Sequence, residues 1–329
     1  MRYRYHLLIL IIVVVTVLCF LMVSCASGEN PANTETGNIA DDSETGNDAE
    51  PQETEKDSET MPVNDSDVES DEPPVETEPD TETMPDTEPE PIPEPEPEVD
   101  RRAEHIYEAH PELTPVNYDS PSLLPISEDM GMDYLDQFTF LCESPTYWIW
   151  PYGLLKDGEE TKKVWTGPEG TCTLAFLEGY EIRDPYDGGL RTIPEAIALH
   201  KPDHVIIALG LNGIAFMDEE WFTQEYEDLL NDIWANSPDT VIVLMSMYPV
   251  SKAYSDQGMI TNSMITAGNS WILKIAEKYG LGYIDAYSCL LGEDGNAIES
   301  LIKPDGFHPN YDGLVLILDY IRTHALIED

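Results

Sequence analysis

The chain is poor in positive charge. Its 329 residues hold 16 Lys and Arg against 65 Asp and Glu, a formal net charge of −49. Such a surface repels phosphate backbones and no basic stripe interrupts it, so nucleic acid is not expected as a partner. Cysteine is also scarce. Of the five cysteines, Cys19 and Cys25 sit near the N-terminus, leaving Cys142, Cys172 and Cys289. Three cannot all pair with one another, so at least one is a free thiol within the chain. No Cys or His spacing fits a zinc site, and no metal is expected.

What is present divides unevenly along the chain. Arg2 and Arg4 precede an apolar run over residues 7–23, followed by Ser24-Cys25-Ala26-Ser27-Gly28. A positive start, an apolar stretch and small residues describe an export signal over residues 1–25. Met22-Val23-Ser24-Cys25 resembles a bacterial lipobox, with Met22 where Leu is usual, which implies lipidation of Cys25. The run also approaches the ~20 residues that a spanning helix needs, so an uncleaved signal anchor is the alternative. Either reading places the remainder at the extracellular face of the cell membrane, held there by a lipid or an N-terminal anchor.

Residues 26–110 are expected to form a disordered tether. Between Cys25 and Asp100 the only basic residue is Lys56, and Thr-Glu and Glu-Pro units repeat. So little apolar content does not offset the entropy of ordering, and like charges repel along the chain. Its Pro-rich end is expected to be extended. From Arg101 onward Trp, Tyr, Ile and Leu return in periodic runs. The globular domain is placed at residues 111–329, long enough to bury a full core.

In that domain short apolar runs alternate with longer amphipathic ones. Strands are expected at 138–141, 172–176, 204–209, 241–246 and 282–285, and helices at 192–200, 218–235, 261–279 and 310–324. Continuous apolar strands indicate burial on both faces, as in a parallel sheet. The expected fold is α/β: a doubly wound, flavodoxin-like parallel sheet of about five strands with helices on both faces. Its site belongs at the C-terminal strand ends.

Three polar clusters fall at such ends. Cys142-Glu143-Ser144 follows the first strand, Gly210-Leu211-Asn212-Gly213 follows the third, and Asp305-Gly306-Phe307-His308 precedes the last helix. A serine hydroxyl needs an adjacent base to become a nucleophile. His308 can take its proton, and Asp305 can hold the imidazole in the right tautomer. Asn212 can donate an amide N–H to the oxyanion that forms on a carbonyl substrate. Each piece alone has an ordinary reading as a turn or a cap. Their order along the chain is what points to catalysis.

With these blocks, residues 134–324 resemble the SGNH or GDSL-like hydrolases, most closely an extracellular branch from clostridia-type bacteria. The family's Gly-Asp-Ser block is matched by Cys142-Glu143-Ser144, its Gly-x-Asn block by Gly210 and Asn212, and its Asp-x-x-His block by Asp305 and His308. The block that supplies an oxyanion glycine is matched within residues 164–171, with Gly170 favoured over Gly167. The resemblance implies hydrolysis of an ester, often an acetyl or other acyl group on a carbohydrate, without cofactor. It implies Ser144, Asp305 and His308 as the triad, and Ser144, Gly170 and Asn212 as the oxyanion hole. The expected partner is an acylated carbohydrate, a cell-envelope polymer or a small ester. Gly-Asp-Ser has become Cys142-Glu143-Ser144, and a misplacement of ~1 Å can cost about a hundredfold in rate. The alternative is therefore a weak or inactive surface module that binds glycan.

Other features read as structure. Asp218-Glu219-Glu220 is a solvated helix start, and Asn262 and Asn269 are a cap and a packing contact. Trp148, Trp150 and Trp165 read as core or rim packing, although aromatic faces also stack on sugars. The remaining histidines find no matched partner in the sequence.

Overall fold

The chain divides into two units, Met1–Asp86 and Thr87–Asp329. A computed structural model describes residues 97–327, all in the second. The export signal, the lipidation expected at Cys25 and most of the expected tether lie outside the described residues.

Among the described residues seven strands form two sheets: β1 (Phe138–Cys142), β2 (Val164–Trp165), β3 (Glu181–Arg183), β4 (Leu190–Thr192), β5 (His204–Ala208), β6 (Val241–Met245) and β7 (Gly282–Ile284). The main sheet has the order β2-β1-β5-β6-β7 and every pairing in it is parallel. With the separate antiparallel β3–β4 hairpin set aside, this is the 2-1-3-4-5 winding of flavodoxin-like folds. The doubly wound parallel sheet expected from the sequence is the observed fold.

Alternate strand residues enter different cores. Leu141, Val205, Ile207, Ile242 and Leu244 face one side. Phe138, Phe140, Ile206, Val243 and Met245 face the other. The first side is covered by α1 (Glu104–Ala109), α4 (Ile193–His200), α5 (Glu219–Asn236) and α7 (Asn262–Tyr279). The second is covered by α2 (Gly131–Leu135), α8 (Ala286–Leu290) and α9 (Tyr311–Arg322). Two short helices, α3 (Ser144–Tyr147) and α6 (Lys252–Ser255), lie in loops. Burial of both faces is why these strands lack polar alternation.

The helix boundaries follow local chemistry. Thr192 and Glu195 form a capping box at the start of α4, while Asp218, Thr261 and Asn310 cap α5, α7 and α9. Each satisfies a backbone N–H that the first helical turn leaves open. Gly280 closes α7 in the left-handed conformation.

Two expectations are corrected. The fold does not begin at residue 111: α1 lies inside the expected tether, with Ala103, Ile106 and Tyr107 buried. Their spacing sets an apolar stripe on one helix face, too brief to stand out among acidic neighbours. Residues 172–176 are not a strand, because Leu174–Phe176 forms a 3-10 turn. The edge strand beside β1 is Val164–Trp165, whose two residues are too few for a pattern to show.

Candidate active site

Ser144 opens α3 directly after β1, with Pro145 in the first turn. Pro lacks an N–H where none is needed, which suits a helix start. The helix is anchored by a buried hydrogen bond of 2.9 Å between Thr146 Oγ1 and the Tyr248 hydroxyl. The Ser144 backbone N–H has no hydrogen-bond partner among the described residues.

His308 Nε2 lies 3.0 Å from Ser144 Oγ, and His308 Nδ1 lies 2.9 Å from Asp305 Oδ2. With the ring proton on Nδ1, His308 donates to Asp305 and accepts from Ser144, the arrangement a general base needs. Asp305 Oδ1 also accepts the backbone N–H groups of Phe307 at 2.8 Å and His308 at 3.0 Å. Burial pushes its carboxyl up, but these three bonds and the neighbouring imidazole outweigh burial and hold it below the usual range.

The loop that carries this pair closes on itself. Lys303 N–H donates to the His308 carbonyl and Gly306 N–H to the Lys303 carbonyl. Gly306 has φ +74°, and a Cβ there would lie 2.4 Å from Ser251 Oγ. Only glycine permits this turn without strain. Phe307 is buried between the rings of Tyr254 and His308, at centroid distances of 5.1 and 4.9 Å.

Asn212 approaches from β5. Its amide donates to Thr171 Oγ1 at 2.9 Å and to the Cys172 carbonyl at 3.0 Å. What aims it is Glu143, 3% exposed, whose carboxylate accepts the backbone N–H groups of Leu211 and Asn212. Glu143 occupies the N-cap position of α3 but makes no cap bond there. It pins the turn that carries Asn212 instead. Burial raises its pKa to about 8, although N–H bonds from Asn212, Leu211 and Gly210 pull it down.

Ser144, His308 and Asp305 thus meet as their spacing in the sequence suggests, and the extra methylene of Glu143 leaves Ser144 within reach of His308. Cys142, the other departure, turns its side chain into the buried core. Cys142, Cys172 and Cys289 are all free and buried.

Gly170 does not serve as expected. Its N–H donates to the Gly167 carbonyl at 2.9 Å, so it closes a turn and is not an open donor. Its φ is +72°, and a Cβ would lie 2.8 Å from the Tyr147 ring. The position requires glycine so that the loop can lie against α3. Thr171, the next residue, bonds the Asn212 amide, and its own N–H has no hydrogen-bond partner among the described residues. Neither Thr171 nor the pinning role of Glu143 was found from sequence. Both depend on a contact between segments far apart in the chain.

The bland readings of Asn262 and Asn269 hold in part. Both are buried, but each grips the backbone after β6, Asn262 at Val250 and Asn269 at Met247. Trp165 is buried in the core. Trp148 stands one turn beyond Ser144, with the Lys303 ammonium 2.8 Å from its ring centroid. Burial lowers the pKa of Lys303, against the opposing pull of Asp305. Other histidines do have partners: His105 bonds the Glu293 carboxylate at 3.1 Å, His110 the Glu293 carbonyl at 2.9 Å and His200 buried Asp184 at 2.6 Å, while His324 lies 3.3 Å from Asp100. Among the described residues no group of three or more His, Cys, Asp or Glu side chains is arranged to hold a metal ion. Nor is any helix among them long and apolar enough to cross a membrane.

No curated protein matches the chain. Among solved structures it is similar to a protein assigned as an acylhydrolase from Bacteroides fragilis, at 16% identity and a TM-score of 0.42, over 68% of this chain and 94% of that one. A GDSL-like lipase from Bacteroides thetaiotaomicron matches at 15% and 0.40, over 56% and 85%. A catalytic mutant of an acetylxylan esterase from Geobacillus stearothermophilus matches at 16% and 0.39, over 58% and 94%. Residues 174–314 match the profile of the GDSL-like lipase/acylhydrolase family, a stretch that holds Asn212, Asp305 and His308 and begins after Ser144. Residues 174–314 thus carry a GDSL-like lipase/acylhydrolase domain, the mark of an SGNH-type serine esterase.

Proposed function

We propose that this protein is a membrane-tethered, extracellular esterase that removes acyl groups, chiefly acetyl, from a carbohydrate or cell-envelope polymer, using Ser144, His308 and Asp305. The observation that carries the reading is the continuous chain from Ser144 Oγ to His308 Nε2 at 3.0 Å and from His308 Nδ1 to Asp305 at 2.9 Å. In the reaction His308 takes the Ser144 proton as Oγ attacks the ester carbonyl, and Asp305 stabilises the imidazolium. The developing oxyanion takes the Ser144 N–H and one Asn212 N–H, the latter exchanged from Thr171. His308 then returns its proton to the leaving alcohol. Water, activated by the same histidine, hydrolyses the acyl-serine. Extracellular tethering rests on the residues 1–25 pattern and Cys25. The carbohydrate rests on the family's common use of acyl sugars.

The test is hydrolysis of p-nitrophenyl acetate with covalent labelling by an organophosphonate. Ser144→Ala is expected to abolish both, with a loss of about 10⁴-fold or more in kcat. Folded wild-type protein that neither turns over nor labels at Ser144 would overturn the reading in favour of a glycan-binding module. Lipidation is tested separately by metabolic labelling with a fatty-acid analogue, expected in the wild type and lost in Cys25→Ala.

A further inference from the structure

Beside Asn212 the molecule exposes three aromatic rings. Phe176, Phe216 and Trp221 are 38%, 47% and 37% exposed, and exposed rings that touch one another, unlike ones scattered singly, make a patch that can bind. They form one shelf: Phe176 stacks on Phe216 at 6.1 Å between centroids with 27° between the planes, and Phe216 lies 5.8 Å from Trp221. Two of them belong to the loops that build the oxyanion side. Consecutive turns from Gly210 to Met217 carry Phe216, four residues past Asn212. Phe176 ends the 3-10 turn that follows Thr171 and Cys172, the two residues bonded by the Asn212 amide.

The rim of the shelf is acidic. Asp218 caps α5 beneath Trp221, and Glu220 is exposed beside it. The Trp221 indole N–H donates to Glu225 at 3.0 Å, and Glu178 is close enough to Glu225 to raise its pKa along with burial and Asp228. Glu219, the residue before Glu220, is paired with Lys274. Carboxylates only accept hydrogen bonds. The chemistry therefore suits a ligand with a flat C–H face for the rings and hydroxyls that donate outward, and it opposes a negative one. An acyl chain, by contrast, calls for an enclosed apolar groove without charged walls.

We propose that Phe176, Phe216 and Trp221 form a subsite for an uncharged sugar ring next to the residue that bears the ester, so that the substrate is a neutral rather than an anionic glycan. This rests on the esterase reading above and refines it to a substrate class. The rings act on binding and leave the reacting atoms alone.

The test uses the full-length protein with O-acetylated xylo-oligosaccharide, O-acetylated oligogalacturonate, p-nitrophenyl acetate and p-nitrophenyl octanoate. Wild type is expected to favour the neutral oligosaccharide over the anionic one by kcat/KM. Phe216→Ala and Trp221→Ala are each expected to raise KM for the neutral oligosaccharide about fivefold, with kcat and both p-nitrophenyl esters unchanged. Trp221→Phe should restore most of the loss. An unchanged oligosaccharide KM in both variants overturns the subsite, and so does a rise confined to the octanoate, which makes the shelf an acyl-chain surface. Preference for the galacturonate overturns the neutral class. If wild type hydrolyses none of the four, the esterase reading has failed instead. The subsite then stands or falls on titration of the Ser144→Ala protein with unacetylated xylohexaose, in which Trp221→Phe should diminish the change in tryptophan fluorescence.

Discussion

The two halves of the site are held in opposite ways. On the oxyanion side, Asn212 is aimed by a buried carboxylate reaching from β1 across to the turn after β5. On the base side, Asp305 and His308 sit on an exposed loop, their side chains 47% and 23% exposed, and their bonds close within a few residues. One half is fixed by a long-range contact from a buried carboxyl group. The other is held mainly by bonds between near neighbours that water can reach, with one longer bond from the Ser251 N–H to the Gly306 carbonyl. The contrast predicts different sensitivities to mutation and to pH.

The largest effect should come from the base side, where the proton moves. His308→Ala is expected to lower kcat by about 10⁴-fold or more, and Asp305→Asn by about 10³- to 10⁴-fold, with little change in unfolding midpoint. Steady-state kinetics beside a denaturation curve check this. A large loss of stability in Asp305→Asn would show that the loop is not as self-contained as its bonds suggest.

Next is Asn212→Ala, expected to cost about 10²- to 10³-fold in kcat with a small change in KM, as for an oxyanion donor. Glu143→Gln should lose about tenfold to a hundredfold. An amide at that place accepts one N–H and turns its own donors toward the other. Equal kcat in Glu143→Gln and wild type would mean that the turn carrying Asn212 holds itself.

The two carboxyls also separate by pH. Glu143 is raised in the folded protein from 4.5 to about 8. Its contribution to stability is therefore fully present below about pH 4.5 and is lost as pH rises through about 8. Asp305 is lowered, so its contribution is present above its unfolded value, about 4, and is lost as pH falls below that. Unfolding free energy measured from about pH 2 to about pH 9 should fall as pH rises above about 4.5 in wild type, and fall less steeply in Glu143→Gln. Asp305→Asn should keep the alkaline slope and blunt the acid one.

The smallest effect on chemistry belongs to Gly170→Ala. It places a side chain at φ +72° against Tyr147 and should cost about 1–3 kcal/mol of stability. The N–H remains, bonded to Gly167, so kcat should fall by less than for Asn212→Ala. A greater kcat loss than Asn212→Ala, in protein of unchanged stability, would return Gly170 to the oxyanion hole.

Much of this site was legible in the chain itself, and the reason is locality. Asp305 and His308 are three residues apart on a turn whose glycine and cap residues are visible in sequence. Asn212 follows an apolar strand, and Ser144 follows another. Strand ends are readable where a buried run stops, so the parallel winding that brings those ends together was readable too. Val164–Trp165 was missed because two residues carry no period. Residues 172–176 misled because an apolar run that packs under α5 looks like a strand until the sheet edge is seen to be occupied. The early start of the fold was hidden because α1 is brief and its neighbours are acidic.

By itself, the sequence determined the α/β class, the caps of four helices, and the identity of the serine, aspartate and histidine that meet. These follow from apolar period and from hydrogen bonds that span three or four residues. Tertiary structure alone decided what Glu143 does, why residue 170 is glycine, and which rings stand beside Asn212. Each depends on segments about 20 to 70 positions apart. No local pattern encodes such contacts, because the partner that satisfies a buried carboxylate or fills a missing Cβ is chosen only when the sheet closes.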